Sequence, residues 1–194
     1  MGLADKKIGI ALTGSHCTIP SIWATLEAIA AQGAELYPIV SAAVMNTDTR
    51  FGRAAEVMAR LTEICGRPPW TDLASVEGIG PGRLLDVLAV APCTGNTLAK
   101  LANGISDTPV TLACKAHLRN QRPVVLAVST NDGLSGNAVN IGLLLARKHY
   151  YFVPFGQDAP EVKANSLVAK VELLPATIEA ALEGRQLEPL LRTG

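Results

Sequence analysis

Residues 84–91, Leu-Leu-Asp-Val-Leu-Ala-Val-Ala, are apolar at nearly every position yet too few for a buried helix. Such a strand carries apolar side chains on both faces and must be covered on both, the condition of a strand inside a parallel sheet. Parallel neighbours cannot be joined by tight hairpins, so the same chain has to provide crossover helices. It does. Residues 8–12 form a second short apolar run that ends in Thr13-Gly14-Ser15, and Ile22, Trp23, Leu26, Ile29 and Ala30 follow at helical spacing, with Gly33 as the stop. Residues 36–40 read as another strand, which Pro38 places toward an edge because it has no N–H for the ladder.

The alternation continues. Residues 41–50 read as a loop before a helix on Val57, Leu61 and Ile64, with Asp48 or Thr49 as its cap and Gly66 as its end. Residues 67–83, with Pro68, Pro69 and Pro81, read as a long irregular connection. The Gly78-x-Gly80-x-Gly82 inside it has no strand before it and is a poor dinucleotide fingerprint. Helices are expected over 94–102, 110–118 and 137–148, and strands over 123–128 and 150–153. After a loop at 160–165, helical spacing over 166–174 and 176–182 suggests a C-terminal helical tail spanning about 166–194. The expectation is one α/β domain over residues 1–194: a doubly wound parallel sheet in a Rossmann-like, three-layer α/β/α arrangement.

Composition narrows the partners. Hydrophobic residues make up 48% of the chain, which excludes a disordered class. Lysine plus arginine balances aspartate plus glutamate at 17 each, so no long-range field draws nucleic acid or an anionic membrane, and an anionic ligand must be held by local groups. The polar start and the lack of any long apolar run point to a cytoplasmic protein with no membrane partner. Cys17, Cys65, Cys93 and Cys114 are dispersed, as are His16, His117 and His149, so reduced thiols and no metal centre are expected.

In doubly wound sheets ligands bind beyond the carboxyl ends of the strands. Three polar segments fall there: residues 13–18, residues 91–97 and residues 128–137. The first has a glycine and hydroxyls before a helix start, where free N–H groups and the helix dipole favour a phosphate, although an ordinary turn capped by Ser15 or Thr18 would look alike. In the second, hydroxyls and an amide could meet a heteroaromatic edge, or Thr94 could simply cap a helix. The third is too polar for core. Their convergence on one rim favours a ligand site.

These segments resemble the signature regions of the homo-oligomeric flavin-containing cysteine decarboxylase superfamily. The resemblance is carried by Thr13-Gly14-Ser15, by residues 91–97 with the following Lys100-Leu101-Ala102-Asn103-Gly104, and by the loop around Asn131. Within that superfamily the chain is similar to the family of dipicolinate synthase B chains, through residues 13–18, 46–52, 118–120, 127–132 and 151–160. The resemblance implies a flavodoxin-like fold and FMN. It also implies formation of pyridine-2,6-dicarboxylate from a dihydrodipicolinate-type intermediate of the lysine pathway during sporulation, together with an NAD(P)-dependent A subunit. By position, Gly14, Ser15 and Ser41 would meet the phosphate and ribityl end, Pro92, Thr94, Gly95, Asn96 and Thr97 would line the ring system, and Thr130 and Asn131 would lie near the substrate side, with Thr13 and Thr130 also counted as cofactor-binding. His16 and Asn131 are the candidate catalytic groups; imidazoles titrate near neutrality and suit proton transfer.

A small dicarboxylate substrate needs cations, and Arg50, Lys115, His117 and Arg119 are candidates for that role beside their plain reading as solvated or structural groups. Cys17 and Cys93 lie on the expected ligand loops. The superfamily's usual Ser-Ala-Asn-Thr stands here as Thr94-Gly95-Asn96-Thr97, its Met-Asn pair as Thr130-Asn131, and residues 41–63 hold no histidine where the decarboxylases place their base. An FMN-dependent decarboxylase and a non-catalytic stabiliser of the A subunit stay open as alternatives. A homo-oligomer is expected, with Trp23, Phe155 and the 154–165 arm as candidate interface.

Overall fold

The computed structural model describes residues 2–192. Five parallel strands form its centre: β1 (Lys7–Leu12), β2 (Glu35–Val40), β3 (Val87–Cys93), β4 (Val124–Thr130) and β5 (Tyr150–Phe152). Their spatial order is β2-β1-β3-β4-β5, all parallel, so the direction of winding reverses between β1 and β3. The fold is of the flavodoxin-like three-layer α/β/α class. Helices α1 (Ile19–Ala31), α3 (Ala54–Cys65) and α9 (Leu174–Leu182) lie on one side. The other side carries α6 (Gly95–Ala102), α7 (Pro109–Leu118) and α8 (Ala138–Leu145).

The sandwich follows from the strand sequences. β1, β3 and β4 are buried along almost their whole length, because Ile8, Ile10, Leu12, Leu88, Val90, Val125 and Leu126 have an apolar layer to fill on each face. At Gly9 the neighbouring strand leaves no room, since a Cβ there would lie 2.5 Å from Leu88 Cδ1 and 2.7 Å from Leu85 Cδ1. β2 is the edge strand that Pro38 implied. The Trp70 N–H donates to the Pro38 carbonyl (2.9 Å) and the Trp70 carbonyl accepts from Val40 (3.0 Å), so the side lacking a proline N–H is met by one residue instead of a strand.

Pro92 inside central β3 is tolerated because the β3–β4 register shifts between Val90 and Cys93. At the other side of β4 the edge is shared. β5 pairs with Val124 to Leu126, whereas Ser129 and Thr130 pair antiparallel with β7 (Leu167–Ala169), and β7 pairs with β6 (Phe155–Gln157). The chain end then returns along β6, where Arg192 donates to the Phe155 carbonyl (2.9 Å). Gly156 permits this approach, because a Cβ would lie 2.3 Å from the Arg192 carbonyl oxygen.

Several expectations need correction. Residues 41–50 contain α2 (Ala42–Asn46), and residues 67–83 contain two short helices, α4 (Leu73–Glu77) and α5 (Ile79–Gly82), which absorb the glycine repeat. The expected helix over 166–174 is β7 followed by a 3₁₀ turn at Val171–Leu173, so the helical tail reduces to α9. Three-residue strands are too short to show a period of two, and pairing with β4 overrides the local spacing. The last part of the expected tail, residues 193 and 194, lies outside the described residues. Phe155 is buried at 3% exposure and serves the core, and Arg60 lies over the Trp23 ring. Within the 154–165 arm Val162 is exposed, and Leu134, Val139 and Leu143, on and just before α8, add further exposed apolar side chains that an interface could use.

His117 is also core. It is 1% exposed on α7, and its Nε2 meets the Pro123 carbonyl at 3.1 Å, so it is not a carboxylate partner. Burial pulls its imidazole down from 6.5 to about 4. The proton therefore prefers the unfolded chain: the stability tied to neutral His117 is complete above about pH 6.5 and is lost as pH falls toward 4, about 3 kcal/mol in all. Urea unfolding followed from pH 7 to pH 4.5 should show a steeper loss of stability for the native chain than for His117→Gln. Parallel slopes would show that His117 is not the buried base.

Candidate functional site

A cavity of about 900 Å³ opens at the carboxyl ends of β1, β3 and β4, across the point where the winding reverses. The three segments singled out by sequence form much of its wall, and Thr49, Phe51 and the returning segment with Asp158, Lys163 and Ser166 complete it. Gly14, Ser15 and His16 follow β1; Thr94, Gly95 and Asn96 follow β3; Thr130 ends β4 and Asn131 follows it.

The β1 and β3 walls are joined by one side chain. Thr13 Oγ1 donates to the Pro92 carbonyl (2.7 Å) and accepts from the Thr94 N–H (3.0 Å), and the Thr13 N–H also donates to Pro92 (3.3 Å). Thr13 and Pro92 are thus buried supports that set the loops, in place of the ligand contacts that sequence suggests for them. Thr94 caps α6, its Oγ1 accepting from the Thr97 N–H (3.4 Å), and Thr97 is buried behind it with its hydroxyl 3.0 Å from that of Thr94. Cys93 is fully buried in β3, and burial beside Cys114 pushes its thiol well above the ordinary range, so it is no nucleophile.

The β4 wall is organised by Asp132, which sequence did not single out. Its carboxylate accepts from the Thr130 hydroxyl and from Asn137 Nδ2 (2.8 Å), and its carbonyl accepts from the Ser135 and Asn137 amides (both 3.0 Å). Gly95 fits under this knot only as glycine, since a Cβ would lie 2.4 Å from Asn137 Nδ2 and 2.5 Å from Thr130 Oγ1. A second cluster ties β1 to β4: Ser129 Oγ lies 2.7 Å from both Ser15 Oγ and Thr18 Oγ1. Ser129 and Thr18 were visible in the sequence as polar loop residues. Their partnership across more than a hundred positions was not.

What faces the cavity is largely neutral donor. Among the described residues the amides of Gly14, His16 and Cys17 meet no protein acceptor, and those of Gly95 and Asn96 belong to the unpaired first turn of α6. The starts of α1 and α6 both adjoin this space, so their dipoles favour an anion there. Ser41, at the start of α2, keeps a buried Oγ with no hydrogen-bond partner, and α2 reaches the loop where a Cβ on Gly14 would lie 3.0 Å from Ala43 Cβ. A phosphate-bearing, ring-containing ligand suits this set: donors are left over on two sides, and the volume lies within the range of small-molecule sites.

The expected cations are elsewhere. Arg50 is not among the cavity's lining residues; its guanidinium lies 4.8 Å from the ring centre of Phe51, which does line the cavity. Lys115 and Arg119 occupy the last turn and the cap of α7, at the opposite end of the sheet. Their displacement has one cause: helix direction in a βαβ unit sends the C-terminal end of each helix away from the strand ends that bind ligand. The only lysine or arginine among the described residues of the cavity wall is Lys163, whose Nζ pairs with Asp158 Oδ2 at 2.8 Å. Burial opposes ionisation of Asp158, but the bond from the Lys163 ammonium and the nearby Ser166 hydroxyl outweigh it and hold the carboxyl below its usual value. The Lys163 ammonium is held above its own, chiefly by the bond to Asp158. Among the described residues no trio of His, Cys, Asp and Glu is placed to hold a metal ion, and no helix is long and apolar enough to cross a membrane.

A family model described as Flavoprotein matches residues 2–141. The B subunit of dipicolinate synthase from Bacillus subtilis (strain 168) is 46% identical over 189 residues, covering 97% of this chain and 94% of that protein. The crystal structure of the corresponding dipicolinate synthase B subunit from Bacillus halodurans C superposes with a TM-score of 0.91 at 46% identity, covering 100% of this chain and 99% of that one. The FMN-dependent cysteine decarboxylase SpaF superposes at 0.70 with 21% identity, covering 93% and 97%, a likeness of fold.

The Thr13 hydroxyl bridges the β1 and β3 walls of this site. Thr13→Val keeps the shape but leaves the Thr94 N–H without its acceptor, and unfolding in urea should show a loss of about 1–3 kcal/mol. A loss below about 0.5 kcal/mol would show that the seam does not depend on the hydroxyl.

Proposed function

The chain belongs to the Flavoprotein family, and from that premise we propose that it is the FMN-holding B subunit of a dipicolinate-forming oxidoreductase that works with a nicotinamide-using A subunit. The observation that carries the reading is the cavity at the β1/β3 reversal of a 2-1-3-4-5 sheet, the place where flavodoxin-like folds hold FMN, lined here by unmatched amides from two helix starts. The 46% identity to the Bacillus subtilis dipicolinate synthase chain over nearly the whole length supports the choice within the family.

In this reading Gly14, Ser15 and Ser41 receive the phosphate end, and Thr94, Gly95, Asn96 and Thr130 face the ring system. Bound FMN supplies a two-electron acceptor. The chain's own residues do the rest. Converting a dihydropyridine dicarboxylate to its aromatic product removes two electrons and two protons, and the strong driving force leaves the protein to orient the substrate and take a proton. His16 lines the cavity and is the group to take it, with Asn131 opposite on the β4 loop. Lys163 takes the role that Lys115 and Arg119 cannot fill, meeting one substrate carboxylate with the ammonium that Asp158 keeps charged. The absence of histidine from residues 41–63 weighs against cysteine decarboxylation. The exposed Val139 and Leu143 of α8 suit a homo-oligomer.

Titration of the apoprotein with FMN, followed by flavin absorbance, should saturate. Asn96→Asp, which swaps a donor for a charge, should weaken that binding about tenfold or more and reduce dipicolinate formation with the A subunit in parallel. Weakened FMN binding with full synthase activity would overturn the catalytic reading and leave a stabilising partner.

Lys163→Gln should raise the KM for the dicarboxylate about tenfold while FMN affinity stays unchanged, measured by steady-state kinetics of the two-subunit enzyme. An unchanged KM would remove Lys163 from the substrate.

A further inference from the structure

Lys115 lines a second cavity, of about 500 Å³, at the end of the sheet opposite the first. It lies between the C-terminal end of α6 with its loop through Ile105 and Ser106, the last turn of α7, and the 147–150 turn that enters β5. The floor is apolar. Leu101 and Leu118 contribute to it, and Ile105 stays 48% exposed at its side, a large aliphatic group with nothing packed over it.

The walls are cationic. Lys115, Arg147 and Lys148 line this space beside the His149 ring, and no carboxylate does. The charges are also uncompensated. Lys115 Nζ meets only the neutral Ser106 hydroxyl, at 3.4 Å, and none of the four side chains takes part in an ion pair among the described residues. Asp107, the acidic group nearest in sequence to the loop, is already engaged by Lys100 at 2.7 Å. Arg147 is fixed in place: Nη1 donates to the Leu101 carbonyl (3.0 Å) and Nη2 to the Ala102 carbonyl (2.6 Å), at the C-terminal end of α6. His149 is set by a left-handed backbone (φ 68°) and has its Nε2 3.3 Å from Gln121 Oε1.

Cations around an apolar floor, in a concave space of metabolite size, select a compact amphiphilic anion, since a purely polar anion would leave the floor wet and a neutral ring would leave the charges unused. We infer that this second cavity is a binding site for a small ring-bearing carboxylate or phosphate, separate from the flavin cavity and outside the chemistry proposed there. The ring lies on Leu101, Ile105 and Leu118, and the acid group meets Lys115 and Lys148. Its placement at the far end of the sheet makes it an effector site, one that does not exchange substrate with the first.

The test is calorimetric titration of the FMN-loaded protein with benzoate, as carboxylate probe, and adenosine monophosphate, as phosphate probe. At least one should bind saturably, with affinity falling as salt is raised. The double substitution Lys115→Gln/Lys148→Gln should weaken it about tenfold or more, and Ile105→Asp should weaken it independently, whereas Lys163→Gln should leave it unchanged. All are surface changes, so circular dichroism should match the native chain. Affinity unaffected by the double substitution and by Ile105→Asp would overturn the assignment, as would the absence of saturable binding of both probes at about 1 mM. Loss of binding with Lys163→Gln alone would move the ligand to the first cavity and equally defeat the proposal.

Discussion

The architecture of the main cavity depends on how the ends of β1 and β3 are held. Two parallel strands that diverge at a reversal of winding leave a crevice by necessity, because their following helices go to opposite faces. A crevice alone would be slack. Here the Thr13 hydroxyl closes its base, giving a hydrogen bond to Pro92 and taking one from Thr94. The register shift at Pro92 turns the carbonyl out of the β3–β4 ladder, where it would otherwise be committed, and makes it available to Thr13. Thr94 is then positioned to cap α6, so one buried threonine sets both the depth of the cavity and the start of a helix that points its free amides into it.

The opposite wall is built by sharing. β4 has one free edge, and it is divided: its first half carries β5, its last two residues carry β7. That division brings the chain after β5 back over the strand ends, so that Asp158, Lys163 and Ser166 close the cavity's open side. The Ser166 hydroxyl donates to the Thr130 carbonyl at 3.3 Å, which ties the returning segment to the same loop that Asp132 organises. The close fits at Gly95 and Gly133 belong to this construction; a Cβ on Gly133 would lie 2.8 Å from the Leu167 side chain.

Charge is divided between the two ends of the sheet. At the carboxyl end the cavity is lined mainly by hydroxyls, amides and free N–H groups, with one lysine paired to Asp158 and the Asp132 carboxylate tied up by Thr130 and Asn137, a lining that can hold a phosphate or a polarised ring without bringing in a strong field. At the other end four cationic or titratable side chains gather with no carboxylate among them. A chain whose formal charges balance overall can therefore present two sites of different electrostatic character.

The strands, the major helices and the three loops of the cavity were legible from the amino-acid order because each rests on local chemistry: apolar runs too short for helices, glycines that stop them, hydroxyls and amides where a strand gives way to a helix. The rim residues Gly14, Ser15, Thr94, Gly95, Asn96, Thr130 and Asn131 were read this way, and their convergence followed from topology. What local pattern could not decide was anything resting on long-range pairing or direction. β6 and β7 exist only because β4 offers an edge, Ser129 matters because it lies beside Ser15, and Lys163 faces the cavity while Lys115 and Arg119 face away because helices run opposite to strands. The sequence by itself determined which segments could form a ligand rim. The tertiary structure decided which charges that rim would see, since hydrogen bonding and ion pairing act over a few ångströms between residues that the chain keeps far apart.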